Sequence, residues 1–169
     1  SEDDITLKAK WSAKTDIRYT IRHFVEKTDS GINPETDTTD RSVVSVKDGG
    51  DVTRSYYLYG IVEYEDGIAD HVQTMNDRLM DCDRIKMEGL SIDGFVPAGF
   101  NVYEYEIEAD GSTEIVWYYN RKDITVRYDG NGGTASESET KGKYGSDFGT
   151  LASAQREGYT FDGWYTDPR

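Results

Sequence analysis

Residues 124–169 read ITVRYDGNGGTASESETKGKYGSDFGTLASAQREGYTFDGWYTDPR. Ile124, Val126 and Tyr128 alternate with polar residues, which predicts a strand with one buried face. The glycine-rich segment 130–133 ends this strand, because glycine adopts positive φ at low cost. The closing run GYTFDGWY again alternates aromatic and polar residues between glycines. The stretch therefore predicts a small β-rich module with aromatic anchors at both ends.

The order of these motifs resembles the Listeria–Bacteroides repeat, also called the internalin B-repeat. Both the DGNGG turn and the GYTFDGWYTD block stand in the expected order. The resemblance implies a β-grasp, ubiquitin-like fold and an origin in a bacterial surface protein. Members of the family continue beyond this point and end in a strand of the type hydrophobic-T-L-x-A-K-W. We expect that strand to be missing from the C-terminal repeat of this chain.

A strand of the missing type stands at the other end, where residues 3–11 read DDITLKAKW. By the same resemblance it is the last strand of a preceding repeat, so the chain is expected to be an interval of a tandem array. An unpaired strand with an apolar face tends to find a partner. We therefore expect residues 5–11 to pair with the 124–165 module, within one chain or by a swap between molecules. The alternative is that both ends are frayed or loosely packed.

A second resemblance covers residues 17–122. The motifs YTIRHF and EADGSTEIVWYYNRK resemble mucin-binding-protein-like (MucBP-like) modules, which alternate with internalin B-repeats and are β-grasp-like. The interior, about 35–85, departs from the family pattern and is interpreted as an insertion. The expected domains are a terminal strand of a preceding repeat plus linker at 1–16, a MucBP-like domain with an insertion at 17–122, and a partial internalin B-repeat at 123–169.

The expected fold class is mostly β (α+β). Tyr-rich alternation and seventeen glycines favour strands and turns. Strands at 101–108 and 113–119 flank an Asp-Gly pair, which predicts a hairpin. One segment differs, because its apolar residues recur at helical spacing and predict an amphipathic helix over 68–81. We therefore expect β-grasp-like modules in tandem with one helix, whose apolar stripe consists of Ile68, Val72, Met75 and Leu79.

Composition excludes several kinds of partner. The net charge of −14 argues against nucleic acid, since contacts to phosphate need a basic surface. No apolar run is long enough to suggest direct membrane insertion. The acidic residues do not follow a calcium-loop pattern, and no zinc spacing, phosphate loop or dinucleotide fingerprint occurs. We expect no metal and no cofactor.

Catalysis is not expected either. The two histidines, His23 and His71, are interpreted as satisfied structural or surface residues. The single cysteine, Cys82, has no sequence-local partner that would lower its pKa and is interpreted as a buried or semi-buried inert thiol. A single cysteine also excludes an intrachain disulfide. Nothing in the sequence places two carboxylates across a cleft, as glycoside hydrolysis requires. The chain is therefore not predicted to be an enzyme.

Binding has better support. Trp11, Trp117 and Trp164 could form aromatic platforms for sugars or proteins, or could fill small β-sheet cores. Trp164 is the expected core anchor of the repeat. The tyrosine-rich strands supply the candidate contact surface, which consists of Tyr57, Tyr59, Tyr64, Tyr103 and Tyr105.

Two functions stay open at this point. The first is a non-catalytic structural or adhesive repeat module of a bacterial cell-surface protein, which spaces or presents a binding domain and could contact a host or matrix protein or a glycan. The second is a carbohydrate-binding accessory module of a secreted polysaccharide-degrading enzyme. Both imply an extracellular location, at the bacterial cell surface or cell wall for the first.

Overall fold

The computed structural model describes most of the chain. The described residues are 6–12, 14–36, 38–67, 72–74, 90–101 and 104–166, with the backbone only at 72–74 and 104–106. All regular structure within these ranges is β. The strands are β1 (Ile17–Glu26), β2 (Val43–Lys47), β3 (Thr53–Gly67), β4 (Val72–Thr74), β5 (Phe95–Pro97), β6 (Glu104–Glu106), β7 (Glu114–Arg121), β8 (Asp123–Arg127), β9 (Thr134–Ala135), β10 (Glu139–Lys143) and β11 (Ala154–Gln155).

The α+β prediction is wrong, because the part of the chain that the structure describes is all-β. Val72–Thr74, inside the predicted helix of 68–81, forms β4 and pairs antiparallel with β6. The other residues of the predicted helix lie outside the described ranges. Val and Thr are β-branched and favour extended backbone, and a partner strand supplies the hydrogen bonds that a helix would have made internally. Pairing with a distant strand therefore overrides the helical period here.

A mixed five-stranded sheet, in the order β2-β3-β1-β7-β5, organises residues 17–121. Its central strand, β1, runs antiparallel to β3 and parallel to β7. Ile21 lies opposite Val62 on one side and Ile115 on the other. The first half of β1 keeps the predicted alternation, with its apolar side chains buried and its arginines outward.

The predicted hairpin between 101–108 and 113–119 is wrong. The neighbours of β7 are β1 and β5, and β6 pairs with β4. The Asp110-Gly111 turn itself is present, with Gly111 at φ 79° and its N–H donating to the oxygen of Glu108 at 3.0 Å. The turn therefore redirects the chain without setting which strands pair.

Both faces of the five-stranded sheet carry buried side chains. A β-bulge between His23 and Phe24 shifts the register of β1 on β3, and residues 23–26 are all buried. On one face, Phe24, Tyr56 and Leu58 pack against partly buried neighbours that include Phe100 and Tyr118. The main core occupies the other face and consists of Ile17, Tyr19, Ile21, Val25, Tyr57, Tyr64, Ile92, Phe95, Ile107, Ile115, Trp117 and Tyr119.

The C-terminal strands form two small antiparallel pairs, β8 with β10 and β9 with β11. Among residues 123–166, Tyr128 is the single residue that is buried, at 9% exposure. Ile124 and Val126 of β8 are half-buried, and their neighbours on the strand are exposed. This module therefore has little enclosed core of its own.

Residues 6–12 of the N-terminal segment, which the structure describes, do not pair with that module within one chain. Residues 6–12 form no strand, and Leu7 and Trp11 are 89% and 87% exposed. Their predicted apolar face is consequently open to solvent. Pairing within the chain is absent from the described residues, while pairing between molecules stays a prediction.

Candidate functional site

The C-terminal module carries an open cleft of about 820 Å³. Tyr128 and Trp164 line it and contact each other, with ring centroids 4.8 Å apart. Phe161 meets the Trp164 ring edge-on at 5.2 Å. The indole Nε1 of Trp164 donates a hydrogen bond of 2.6 Å to the main-chain oxygen of Ala152, which holds the ring in place. The cleft therefore has a fixed aromatic cluster as part of its wall.

The same cleft exposes large apolar side chains. Tyr159 is 67% exposed and Tyr165 is 71% exposed, and Leu151 and Phe161 are also exposed. All four line the cleft. Adjoining apolar side chains left open on one small module are typical of a contact surface.

The turn after β8 shapes one side of the cleft. Asn131 and Gly132 both have positive φ, at 44° and 86°, and the Asp129 carboxylate accepts a hydrogen bond of 2.9 Å from the Asn131 N–H. At Gly133 a Cβ atom would lie 2.6 Å from the main-chain oxygen of Gln155. Glycine is needed there because β9 and β11 approach closely.

Arg156 ties this turn to the aromatic side of the cleft. Its guanidinium lies over the Tyr159 ring at 4.1 Å, and its Nη1 donates to the oxygen of Asn131 at 3.3 Å. Asp129 and Asp162 also line the cleft, but its lining contains no His, Cys or Ser. Nowhere in the described ranges do three His, Cys, Asp or Glu side chains gather to hold a metal ion. The arrangement can stack on and hydrogen-bond to a ligand, and it offers no activated nucleophile.

The three predicted contact tyrosines whose side chains the structure describes lie in or against the main core. Tyr57 and Tyr64 are 7% and 8% exposed and belong to the main core. Tyr59 is half-buried against that core. Tyr103, and the side chain of Tyr105, lie outside the described residues. Tyr57 and Tyr64 therefore serve the core, and the contact role of the other three stays a prediction.

A β-bulge in β3 explains why Tyr64 lies on the same core face as Tyr57. Strict alternation along β3 would put Tyr57, Tyr59 and Ile61 on one face, but the register shift at His23 reverses the faces beyond Tyr59. Ile61 consequently becomes 41% exposed, and Tyr64 turns inward to stack on Tyr19 at 5.1 Å. The Tyr57 hydroxyl donates to the oxygen of Pro34 at 2.9 Å, and burial raises its pKa to about 12.

The remaining residues singled out from the sequence occupy different environments. Trp117 is 4% exposed in the main core, and Trp164 is half-buried. His23 is 1% exposed, and burial lowers its pKa to about 4. His71 and Cys82 lie outside the described residues.

A buried polar cluster at one end of the sheet was not predicted from the sequence. Arg121, the last residue of β7, is 2% exposed, and its main-chain N–H donates to Glu26 Oε2 at 2.7 Å. Glu26 Oε1 accepts from Arg54 Nη1 at 2.7 Å, and Arg54 also reaches Asp48. The sequence contained a signal for the burial of Arg121. This arginine continues the alternation of the buried positions Ile115, Trp117 and Tyr119 at a period of two.

Comparison with known proteins bears on the C-terminal module. Residues 125–169 match the family model of the Listeria-Bacteroides repeat domain. No curated protein and no solved structure matches the chain. The MucBP-like resemblance of residues 17–122 stays a prediction. No helix in the described ranges is long and apolar enough to cross a membrane. The C-terminal quarter of the chain is thus similar to a repeat domain of bacterial surface and secreted proteins, a typically non-catalytic module.

Proposed function

We propose that the chain is a structural and adhesive module of a bacterial cell-surface protein, which spaces or presents a binding domain outside the cell. The match of residues 125–169 to a repeat of surface proteins carries this proposal. The exposed aromatic cleft supports it, because the repeat offers a contact surface and little enclosed core. The same surface is suited to a host or matrix partner.

In this role neighbouring units associate through their strands. Within the described residues β8 pairs with β10 alone, so one edge of β8 is open to an added strand. The exposed side chains of Leu7 and Trp11 provide the apolar face of such a strand. Burying each of them would contribute roughly 1.5–3 kcal/mol. The proposed contact therefore joins residues 5–11 of one molecule to the repeat of the next.

Sedimentation velocity over a wide concentration range tests the association. We expect reversible self-association of the full chain, and its loss when Leu7 and Trp11 are both changed to Ser. The matched control changes Lys8 and Lys10 to Ser on the opposite face of the same strand, and it should still associate. A chain that remains monomeric at all concentrations would overturn this part of the proposal.

A carbohydrate-binding accessory module is the second candidate. Tyr159 and Tyr165 favour it, because exposed aromatic rings stack well on sugar faces and Arg156 and Asp162 lie beside them. A glycan array separates the two functions. Selective binding that is lost in Tyr159→Ala and Tyr165→Ala would support carbohydrate recognition, whereas a blank array leaves the structural role.

A further inference from the structure

The junction between the five-stranded sheet and the C-terminal repeat is built around one buried side chain. Arg121 ends β7, and Lys122 alone separates it from β8. Such a short connection can act as a hinge when nothing else joins the two units. Here the Arg121 side chain makes contacts on both sides of the connection.

On the sheet side the guanidinium has three acceptors. Arg121 Nε donates to the main-chain oxygen of Glu26 at 3.0 Å, and Nη1 donates to that of Ile32 at 3.0 Å. Its Nη2 donates to Asn33 Oδ1 at 2.7 Å. The guanidinium also lies over the Phe95 ring at 4.9 Å.

On the repeat side the same guanidinium bonds to the turn after β10. Arg121 Nη1 donates to the main-chain oxygen of Tyr144 at 2.8 Å. Arg121 is 2% exposed, so its N–H groups depend on acceptors within the protein, and displacing the repeat would break this hydrogen bond. Moving the repeat away from the sheet therefore carries a penalty.

The turn at Tyr144 and Gly145 fits into a recess of the sheet unit. The Tyr144 ring lies edge-on to Phe95 at 6.3 Å, and its hydroxyl donates to Asp93 Oδ2 at 3.3 Å. Gly94 lies directly under this ring, where a Cβ atom would overlap it. The recess thus requires glycine at the point where the tyrosine enters.

The other wall of the recess is the loop at 28–33. Its conformation is held by Asn33, whose Oδ1 accepts from the Thr28 N–H and whose Nδ2 donates to the Thr28 oxygen, both at 3.0 Å. The N–H of Ile32 donates to the oxygen of Gly145. A Cβ atom on Gly145 would lie 2.7 Å from the oxygen of Ile32. The loop is therefore preorganised and in close main-chain contact with the repeat.

We infer that Arg121 and this recess form a rigid joint, so that the five-stranded sheet and the repeat move as one body. The recess consists of residues 31–33 and 93–95, and it is an interaction surface for the Tyr144-Gly145 turn. This inference adds a mechanical property to the proposed spacing role and rests on that role only for its biological meaning. A module that spaces a binding domain gains reach when its parts do not bend against each other.

Backbone 15N relaxation on the full chain tests the joint, at a concentration where the chain is monomeric. We expect one rotational correlation time for the amides of β1, β3 and β7 and for those of 123–166. In Arg121→Gln the repeat should show a shorter correlation time than the sheet. The control, Arg127→Gln, removes an exposed guanidinium from β8 and should keep a common value.

Tyr144→Ala provides a second route, since Tyr144 is 37% exposed and its removal empties the recess while leaving Arg121 in place. If Arg121→Gln fails to fold, the sheet amides lose their chemical-shift dispersion. In that case Tyr144→Ala is the variant that tests the joint. Two correlation times in the unmodified chain would overturn the inference. A common correlation time in both variants would overturn it as well. Neither result bears on self-association, so the failure of the joint and that of the proposed function are distinguishable.

Discussion

Nδ1 of His23 and the hydroxyl of Tyr119 share a hydrogen bond of 3.1 Å inside the main core. His23 Nε2 has no hydrogen-bond partner among the described residues, and the ring is 1% exposed. Burial lowers the pKa of His23 from 6.5 to about 4, so the folded protein holds the neutral imidazole. Protonation of this ring opposes folding.

The first prediction is a loss of stability in mild acid. The unfolded chain takes up a proton on His23 near pH 6.5 and the folded chain only near pH 4, so stability is full above pH 6.5 and falls as the pH drops towards 4. The loss amounts to roughly 3 kcal/mol. Urea unfolding between pH 7 and pH 4 measures it. Carboxylates also titrate at the acid end, so the comparison is with His23→Gln. In that variant the free energy of unfolding should fall less steeply with pH between pH 6.5 and 5. Equal slopes would contradict the prediction.

The second prediction contrasts two ion pairs. Glu26 is 8% exposed and accepts from both Arg54 and the main chain of Arg121. Its replacement by Gln should cost about 2–3 kcal/mol in chemical unfolding, because Arg54 loses a largely desolvated charge partner. Glu114→Gln is the control. Glu114 pairs with Arg22 at the surface, where ion pairs contribute little to stability. The unfolding midpoint of Glu114→Gln should therefore hardly differ from that of the unmodified chain. Similar losses in both variants would disprove the distinction.

The third prediction concerns two neighbouring aromatic residues of the repeat. Trp164→Ala removes the ring that packs on Tyr128 and Phe161 and should destabilise the repeat by about 2 kcal/mol, less than for a fully buried tryptophan. Tyr165→Ala should leave stability unchanged, since that ring is 71% exposed. Hydrogen exchange of amides 123–166 checks both. If hydrogen-exchange protection is unchanged in Trp164→Ala, the aromatic cluster does not stabilise the repeat.

The fourth prediction concerns a close backbone approach. Gly133→Ala places a Cβ atom 2.6 Å from the Gln155 oxygen, and main-chain atoms cannot rotate away as a side chain can. We expect a cost of about 1–3 kcal/mol and weaker exchange protection at β9 and β11. Gly99→Ala should be neutral, because no atom lies within 4 Å of a Cβ atom there. A stable Gly133→Ala variant would mean that the two strands separate easily.

Local patterns were sufficient for several elements. The alternation in β1, β7 and β8 predicts these strands, because a period of two depends only on successive residues. The same local reasoning predicts the DGNGG turn, and Asn131 and Gly132 take the positive φ that it requires. The repeat similarity of 125–169 also rests on residues close together in the chain.

Strand partners and facing directions could not be obtained in this way. The segment of β4 has a helical period and still forms a strand, because it pairs with β6. That partner lies about thirty residues further on, beyond the reach of a local pattern. The bulge opposite His23 reverses the faces of β3, so Tyr64 is buried where alternation from Tyr57 predicts the other face. A register shift is a property of two strands together, and neither strand's residues specify it alone.

Neighbouring residues thus predict β1, β7 and β8, the glycine turn and the similarity of the C-terminal module to the Listeria-Bacteroides repeat domain. The joint at Arg121 depends on the folded chain. Alternation with Tyr119 marks this arginine as inward-facing, but its acceptors at Glu26 and Tyr144 lie 95 and 23 positions away. A buried guanidinium needs acceptors for its N–H groups. Only the packing of β1, the 28–33 loop and the repeat's turn brings those acceptors to one point.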